Sequence, residues 1–290
     1  MMKSSILDEL VKANRMPVLF VGSGISKRYL FGYPSWEELL EKSFEKFETD
    51  PFQYQKHLDE CRRKKMSDFD TNVYMGTLIE EQFNAAFYDR KIKLGIGNSK
   101  NPSWVKRGIS PYKMYLADFF KKQKLNRSPK LQNELVKFRA LKNKISAIIT
   151  TNYDTFLEQE VFNKDFQVYV RQHELFSADS YNIAEIYKIH GSATDAESII
   201  ITKDDYKHFR ESRKLIIAKM LTLFAEAPII FMGYSMTDED VRGIIEDFLG
   251  CLSDEQLVDI RKHFIFISYK KDEKELIEIE RTIVTKNGVE

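Results

Sequence analysis

Cysteine is nearly absent from this chain, and its scarcity excludes two kinds of stabilising site. Only Cys61 and Cys251 occur among the 290 residues, far apart and without partners at metal-ligand spacing. A disulfide framework and a cysteine-rich zinc site are therefore excluded. The five histidines are scattered, and no two stand four positions apart as on a metal-binding helix face. We expect no metal in this protein.

A charge excess of one sign is also lacking, as are long apolar runs. The 45 basic and 44 acidic residues give a net charge of +1, which offers no general attraction for nucleic acid or anionic membranes. No stretch approaches the roughly 18 apolar residues that span a bilayer, and the first ten residues contain no signal-peptide core. We expect a cytoplasmic protein that binds neither membranes nor nucleic acids directly.

The chain does contain short apolar runs that end abruptly in polar side chains. Residues 145–154, Ile-Ser-Ala-Ile-Ile-Thr-Thr-Asn-Tyr-Asp, are the most informative. A run without alternation predicts a strand buried on both faces of a parallel sheet, whose carboxyl end borders a ligand crevice. Thr150, Thr151, Asn152 and Asp154 would then face a ligand. An ordinary turn or helix cap explains the same residues equally well at this point.

Strand and helix patterns alternate along most of the chain. This alternation predicts one α/β domain over residues 1–290, with a doubly wound, Rossmann-like parallel sheet. A helical insertion or subdomain is expected at about 50–125, and the lack of a closing element at the end predicts the N-terminal part of a longer protein. The further strands are predicted at 17–21, 185–189, 198–201, 228–232 and 264–267, and the helices at 4–15, from Ser35, at 130–142, 203–226 and 237–249, and from 273.

A glycine loop, Gly22-Ser-Gly-Ile-Ser26, follows the first predicted strand. Two glycines at a strand end allow backbone N–H groups to approach a pyrophosphate closely. The dehydrogenase fingerprint needs a third glycine where Lys27 stands, which disfavours a hydride-transfer enzyme. The glycine and lysine spacing of an ordinary P-loop is also missing.

Two further strand ends carry polar or glycine residues. His190-Gly191 follows one strand, and Gly233-Tyr234-Ser235 follows another. A lone histidine is more often structural than catalytic. Four such ends in one sheet, however, would converge on one crevice, which favours nucleotide binding with a histidine that moves a proton near neutral pH.

The four motifs together resemble the sirtuin family. Gly22-Ser-Gly-Ile-Ser26 is similar to its Gly-Ala-Gly-Ile-Ser cofactor loop, and Thr150-Thr-Asn-Tyr-Asp154 to its Thr-Gln-Asn-Ile-Asp. His190-Gly191 resembles the catalytic His-Gly, and Gly233-Tyr-Ser235 the Gly-Thr-Ser loop on the adenosine side. All four occur in the order of the family.

Two departures from the sirtuin pattern indicate a particular branch. Sirtuin deacylases carry a four-cysteine zinc ribbon between the last two motifs, whereas this chain has no cysteine there. The Gly-Ile-Pro-Asp-Phe-Arg segment is replaced by Gly32-Tyr-Pro-Ser-Trp-Glu37. With both changes, the chain resembles the sirtuin-like domains of bacterial antiphage defence proteins, which destroy NAD to halt infection.

This resemblance implies an NAD hydrolase that releases nicotinamide and ADP-ribose as an antiphage effector. NAD is then the substrate, and no metal is expected. Two alternatives stay open: a non-catalytic module that binds NAD or ADP-ribose and regulates a partner, and an NAD-dependent protein deacylase or ADP-ribosyltransferase. Because constant NAD loss would harm the cell, gating is expected through assembly into a homo-oligomer, through a further domain, or through a partner such as a ring-forming ATPase or a phage trigger protein.

The resemblance also implies roles for individual residues. Asn152 would hold the nicotinamide ribose or the attacking water, Asp154 would support that geometry or the developing positive charge, and His190 would act as base. The residues expected on the pyrophosphate side are Gly22, Ser23, Gly24 and Ser26, and those on the adenosine side are Gly233, Tyr234, Ser235 and Asp238, with Thr151 also expected to contact NAD.

Overall fold

The computed structural model describes residues 15–96, 103–176, 184–260, 263–267, 269, 284–285 and 288–289. The helix predicted at 4–15 lies outside these ranges except for its last residue. The helix predicted from 273 also begins outside them. Where the description resumes, Val284–Thr285 and Gly288–Val289 pair with each other as antiparallel strands.

A six-stranded parallel sheet forms the centre of the fold. The spatial order is β3-β4-β2-β1-β5-β6, so the chain builds one half on one side of β1 and then crosses to the other. This confirms the predicted α/β, doubly wound, Rossmann-like class and places the topological switch point between β1 and β5. The strands are β1 Val18–Val21, β2 Ala147–Thr150, β3 Gln167–Tyr169, β4 Glu185–Lys188, β5 Ile229–Met232 and β6 Phe264–Ile267.

The sheet is apolar on both faces because helices cover both. In β1, Val18 and Phe20 belong to one hydrophobic cluster, and Leu19 and Val21 to the other. All four side chains are at most 2% exposed. Since successive side chains point to opposite faces of a strand, a continuous apolar run is what this double cover requires.

Helices fill the connections between strands. Ser35 caps one of them in a capping box with Glu38, as the sequence predicts. No helix among the described residues combines the length and apolar character needed to cross a bilayer. The α-helices are α1 Ser23–Tyr29, α2 Trp36–Phe44, α3 Pro51–Arg63, α4 Asp68–Tyr88, α5 Ser103–Lys106, α6 Pro111–Lys121, α7 Pro129–Arg139, α8 Lys203–Lys207, α9 Phe209–Ser212, α10 Lys214–Glu226, α11 Glu239–Gly250 and α12 Asp254–Ile260.

The segment predicted as a helical insertion consists mainly of helices where it is described. It contributes α3 to α6, and α4 packs against both α2 and α6. Met75, Ile79 and Leu116 from this segment lie in the same hydrophobic cluster as Leu19 and Ile148 of the sheet. The segment therefore shares the core on one face of the sheet.

Two predictions in the second half are wrong. Residues 198–201 form no strand, because the chain makes a short 3-10 turn over Ala196–Ser198 and the isoleucines that follow are buried outside the sheet. Residues 203–226 are not one helix but α8, α9 and α10. The chain leaves the helical conformation at Arg213, whose guanidinium turns inward to bond Ile189 O and Ser198 O at 3.1 Å each.

Several short elements have no counterpart in the sequence prediction, and three of them adjoin or complete the sheet. The helix α1 begins directly after Gly22, inside the predicted glycine loop. A π-helix covers Phe156–Val161, and the strand β3 has only three residues at the edge of the sheet. Single π-helical turns such as Phe156–Val161 are frequent at functional sites.

Candidate active site

Four strand ends with polar or glycine residues meet at one edge of the sheet. Gly22 follows β1, Asn152 follows β2, His190 follows β4 and Gly233 follows β5. These strands are parallel neighbours, in the order β4-β2-β1-β5. Their carboxyl ends therefore lie together at the switch point, where open α/β sheets bind ligands.

The glycines after β1 and β5 allow two loops to pack against each other. The amide of Gly24 donates to Gly233 O at 2.9 Å. A Cβ added at Gly22 would lie 2.4 Å from that same carbonyl oxygen, and one at Gly24 would lie 2.8 Å from the Gly233 Cα. Gly233 itself has a φ of +60°, which favours glycine. The glycines are thus needed for contact between the loops, apart from any contact with a ligand.

Asn152 is held by hydrogen bonds that use both hydrogens of its side-chain amide. Its Nδ2 donates to Gly22 O at 3.0 Å and to Ser26 Oγ at 2.9 Å. Its backbone amide donates to Thr150 Oγ1 at 3.1 Å. Since only 5% of the residue is exposed, the side chain has a fixed orientation, and its Oδ1 oxygen remains as the group that could accept from a ligand.

Asp154 is buried and holds Ser26 in place. Its Oδ2 accepts a hydrogen bond from Ser26 Oγ at 2.8 Å, and its Oδ1 accepts from the amide of Phe156 at 2.9 Å. Ser26 is fully buried and Asp154 is 3% exposed. The carboxylate therefore orients Ser26, which in turn accepts from Asn152.

A buried lysine lies behind this network. Lys188, the last residue of β4, is fully buried, and its Nζ donates to Asp154 O and to Glu158 Oε1, the latter at 2.9 Å. Glu158 belongs to the π-helix and is 8% exposed. The ammonium thus connects the end of β4 to the turn that carries Asn152 and Asp154.

His190 is buried beside Asp238. Its Nε2 lies 3.3 Å from Asp238 Oδ2, at an angle that makes no hydrogen bond. The rings of Tyr206 and Phe209 stand edge-on to the imidazole, with centroids 5.7 and 5.6 Å away. Burial lowers the pKa of His190 below its ordinary 6.5, although the charge of Asp238 opposes the shift. The imidazole is therefore neutral at pH 7 and able to accept a proton.

Asp238 caps α11 as well as facing the histidine. Its Oδ1 accepts from the amide of Val241 at 3.0 Å, and the residue is 8% exposed. This cap fixes the carboxylate at the end of the loop that leaves β5. Asp238 thus lies against His190, and its predicted place on the adenosine side of NAD stays a prediction.

The loop that carries His190 is fixed by two unusual features. Gly191 has a φ of +92°, and a Cβ there would lie 2.2 Å from Ser198 O. Arg213, 5% exposed, donates to Ser198 O and to Ile189 O on either side of the His-Gly pair. Its burial lowers the pKa of the guanidinium, with a further lowering from Arg171. The backbone around His190 therefore has little freedom to move.

Three aromatic side chains pack together as an aromatic wall that reaches His190 through Tyr206. Trp36 belongs to α2, Phe69 to α4 and Tyr206 to α8, and their ring centroids lie 5.9, 6.2 and 5.1 Å apart in pairs. The indole Nε1 of Trp36 is buried without a hydrogen-bond partner among the described residues. Because Phe69 lies in the 50–125 segment, that segment contributes to the wall.

The same segment is fastened to the chain around Tyr206. A Cβ at Gly76 would lie 2.4 Å from Ile201 O, so α4 approaches that backbone as closely as only glycine allows. Lys113 of α6 forms an ion pair with Asp205, and both side chains are less than a fifth exposed. These contacts hold α4, which carries Phe69, against the chain that carries Tyr206.

The remaining predicted residues lie at the same edge but are more exposed. Thr151 and Tyr234 are half-buried, whereas Ser23 and Ser235 are exposed. The Tyr234 ring packs on Phe20 with centroids 4.7 Å apart, and its hydroxyl is buried without a hydrogen-bond partner among the described residues. Ser235 Oγ lies 3.0 Å from Thr237 Oγ1.

Sequence reasoning missed several residues that shape this site. Lys188 carries a signal that could have been used, because a charged residue inside the apolar run Ile186-Tyr-Lys-Ile189 needs a buried partner. Arg213, Phe69 and Tyr206 carry no comparable local signal. Within the described ranges, no three His, Cys, Asp or Glu side chains are grouped as metal ligands.

The site region matches a known family model. Residues 146–287 match the SIR2-like domain, a range that begins after the Gly22 loop and includes the other three strand ends. Over 233 residues, the chain is 23% identical to defense-associated sirtuin 2 of Bacillus subtilis. The aligned region covers 79% of this chain and 19% of that protein. Over 111 residues, the chain is 29% identical to NAD(+) hydrolase ThsA of Enterococcus faecium. This aligned region covers 37% of this chain and 23% of that protein. The chain thus spans about a fifth of the length of these relatives.

Proposed function

Because the chain carries a SIR2-like domain, we propose that it is an NAD hydrolase that converts NAD and water to nicotinamide and ADP-ribose. The observation that carries the proposal is the position of two groups after the neighbouring strands β2 and β4, at one edge of the sheet. They are Asn152, whose backbone and side-chain amides make three hydrogen bonds, and the buried imidazole of His190, whose pKa is lowered by burial. The first can position a substrate, and the second can move its proton.

The reaction needs positioning and a base more than a strong acid. Nicotinamide in NAD is a cationic leaving group, so the bond to C1′ of the ribose breaks with its electron pair going to the nicotinamide nitrogen. Positive charge develops on the ribose, water adds to C1′, and the water then loses a proton. Fixed dipoles and a nearby base lower the barrier of such a step.

Asn152 and His190 are the proposed catalytic residues. Since both amide hydrogens of Asn152 are used within the protein, its Oδ1 would accept from the attacking water or from a ribose hydroxyl. The neutral His190 would take the released proton, and Asp238 would stabilise the imidazolium that forms. Asp154 would act by orienting Ser26 and Asn152.

The loops after β1 and β5 are proposed to hold the rest of NAD. On the pyrophosphate side we propose Gly22, Ser23, Gly24 and Ser26. Contact with the pyrophosphate is better supported for Gly22, Gly24 and the exposed Ser23, because Ser26 is fully buried and its hydroxyl already bonds Asn152 and Asp154. On the adenosine side we propose Gly233, Tyr234 and Ser235, and we propose that Thr151 also contacts NAD. The close packing of the two glycine loops supports a single continuous binding edge.

We further propose that NAD cleavage serves antiphage defence and is gated. Similarity to defense-associated sirtuin 2 and to NAD(+) hydrolase ThsA supports this role. A homo-oligomer, a ring-forming ATPase or a phage trigger protein would supply the gate in the cytoplasm.

The test is the release of nicotinamide from NAD, followed by chromatography over a range of protein concentrations. We expect nicotinamide and ADP-ribose in equal amounts, with a rate per protein that rises as the protein assembles. Asn152→Ala and His190→Ala are the inactive controls. Tight NAD binding without nicotinamide release in any assembly state contradicts hydrolysis and indicates a binding module. Release that requires an acyl-lysine peptide or a protein acceptor indicates a transferase or deacylase.

A further inference from the structure

The turn that carries Asn152 is held at three points, and only two of them involve side chains near the crevice. Thr150 Oγ1 accepts from the Asn152 amide at the start of the turn. Ser26 bonds the side chains of Asn152 and Asp154. The third point is the backbone oxygen of Asp154, which accepts from Lys188 Nζ.

Lys188 reaches this oxygen from inside the protein. It is fully buried, and in the sheet it is paired in register with Thr150, so the two residues that hold the ends of the turn stand side by side. Glu158 Oε1 accepts from the same ammonium at 2.9 Å, and Glu158 Oε2 is buried without a hydrogen-bond partner among the described residues. No part of Lys188 is accessible to a substrate.

A buried ion pair is a poor way to gain stability alone. Removing two charges from water is costly, and apolar residues of similar size often replace such a pair without loss. An ammonium, however, has three donors and can bond a carboxylate and a carbonyl oxygen together. The feature that apolar residues could not reproduce is therefore the bond to Asp154 O.

We propose that Lys188 is a positioning residue for the active site, which fixes the 152–154 turn through Asp154 O and is itself oriented by Glu158. This inference rests on the proposed function for its kinetic consequence, since Asn152 is the group positioned. A displacement of about 1 Å at a reacting group can lower a rate about 100-fold. Loss of the bond should therefore affect turnover more than overall folding.

The experiment compares three variants of the whole protein. Lys188→Met/Glu158→Leu removes both charges and the bond to Asp154 O without leaving a buried charge unpaired. Glu158→Gln removes one charge but keeps the lysine, and the Gln amide oxygen can still accept from the ammonium that bonds Asp154 O. Lys142→Met/Asp165→Leu removes an ion pair that lies before β2 and β3, at the opposite end of the sheet.

Three readouts are measured on each variant: NAD turnover, ADP-ribose affinity and amide hydrogen exchange. For Lys188→Met/Glu158→Leu we expect kcat to fall by about 10- to 100-fold, with ADP-ribose affinity within about threefold of wild type. Exchange should rise at the amides of Asn152 and Phe156, which are hydrogen-bonded within the turn. Glu158→Gln should keep this protection, and the distant pair should change none of the readouts.

Two results would overturn the proposal. One is wild-type turnover and wild-type exchange in the turn when the Lys188 and Glu158 charges are removed. The other is exchange that rises evenly over the domain with a lower melting temperature, which is the result of a general loss of stability. If the wild-type protein releases no nicotinamide, the proposed hydrolysis fails, but the exchange measurement still decides whether Lys188 positions the turn.

Discussion

Asn152 and Ser26 are joined by a hydrogen bond from Nδ2 to Oγ at 2.9 Å, although 126 positions separate them in the chain. The same Nδ2 donates to Gly22 O, so one amide connects the end of β2 to the loop after β1 and to α1. Asn152 therefore has a structural role beside its proposed catalytic one, and the two roles can be separated by experiment.

Replacing Asn152 with Ala should abolish NAD cleavage and also reduce stability. We expect the fold of this variant to remain largely intact. The lost bonds to Gly22 O and Ser26 Oγ should cost about 2 kcal/mol of unfolding free energy. Denaturant unfolding and nicotinamide release, both measured well below the melting temperature, check these values. Full turnover in a folded variant would show that the segment is only a turn.

Ser26 and Ser23 offer a matched pair on α1. Ser26→Ala removes the bonds to Asn152 and Asp154 and should cost about 2 kcal/mol of stability, with a lower kcat. Ser23 is exposed, so Ser23→Ala should change stability by less than about 0.5 kcal/mol and raise KM instead. Chemical denaturation and steady-state kinetics on both variants test the contrast. Equal effects on stability would contradict the structural difference between the two serines.

The lowered pKa of His190 predicts a pH dependence of stability. Below about pH 6.5, His190 binds a proton in the unfolded chain. In the folded protein it binds that proton only at a lower pH, near its lowered pKa. The free energy of unfolding therefore decreases as the pH falls through this window. Asp240, whose pKa is raised to about 6 by burial and by Asp238, acts in the opposite direction. The difference between wild type and His190→Gln isolates the histidine.

The measurement is the melting temperature of wild type and His190→Gln between pH 5 and pH 8, a range set about the ordinary histidine pKa. We expect the variant to lose less stability than wild type on acidification. The acid limb of kcat/KM for the wild type should also lie below pH 6.5, since the base stays neutral to lower pH. A parallel decline of both proteins would contradict a buried neutral His190.

Gly24 and Gly250 test the packing of the two glycine loops. Gly24→Ala places a Cβ 2.8 Å from the Gly233 Cα and should cost about 2 to 4 kcal/mol through displaced backbone. Gly250 at the end of α11 has open space around it, so Gly250→Ala should be neutral or stabilise by up to about 1 kcal/mol. Thermal unfolding of the two variants gives the comparison. A tolerated Gly24→Ala would mean that the loops can separate.

A comparison of Phe69 with Phe52 tests whether the aromatic wall contributes to NAD binding apart from the rest of the 50–125 segment. Phe69→Ala removes ring contacts with Trp36 and Tyr206 and should raise KM for NAD severalfold, with a stability loss of about 1 to 2 kcal/mol. Phe52 is 79% exposed, so Phe52→Ala should leave both values near wild type. If the two variants have the same KM, Phe69 does not border the bound substrate.

Local sequence patterns determined most of the sheet. The strands β1, β2, β5 and β6 follow from short apolar runs, since a strand covered on both faces favours apolar side chains. The strand β4 was also predicted, although Glu185 and Lys188 stand at its two ends. The three-residue β3 at the sheet edge gives too short a signal. The apolar run at 198–201 led to a wrong strand prediction, because such a run indicates buried side chains but not hydrogen bonding to a neighbouring strand. Ile199 and Ile201 are fully buried without joining the sheet.

The sequence alone also determined which residues stand at the strand ends, because the change from apolar to polar side chains marks each end. Only the tertiary structure decided which atoms meet there. It placed Asp238 against His190, gave both hydrogens of the Asn152 amide to the protein, and put Lys188 behind Asp154. Such contacts join residues from 34 to 130 positions apart, and they depend on the order of the strands, which local side-chain patterns do not encode.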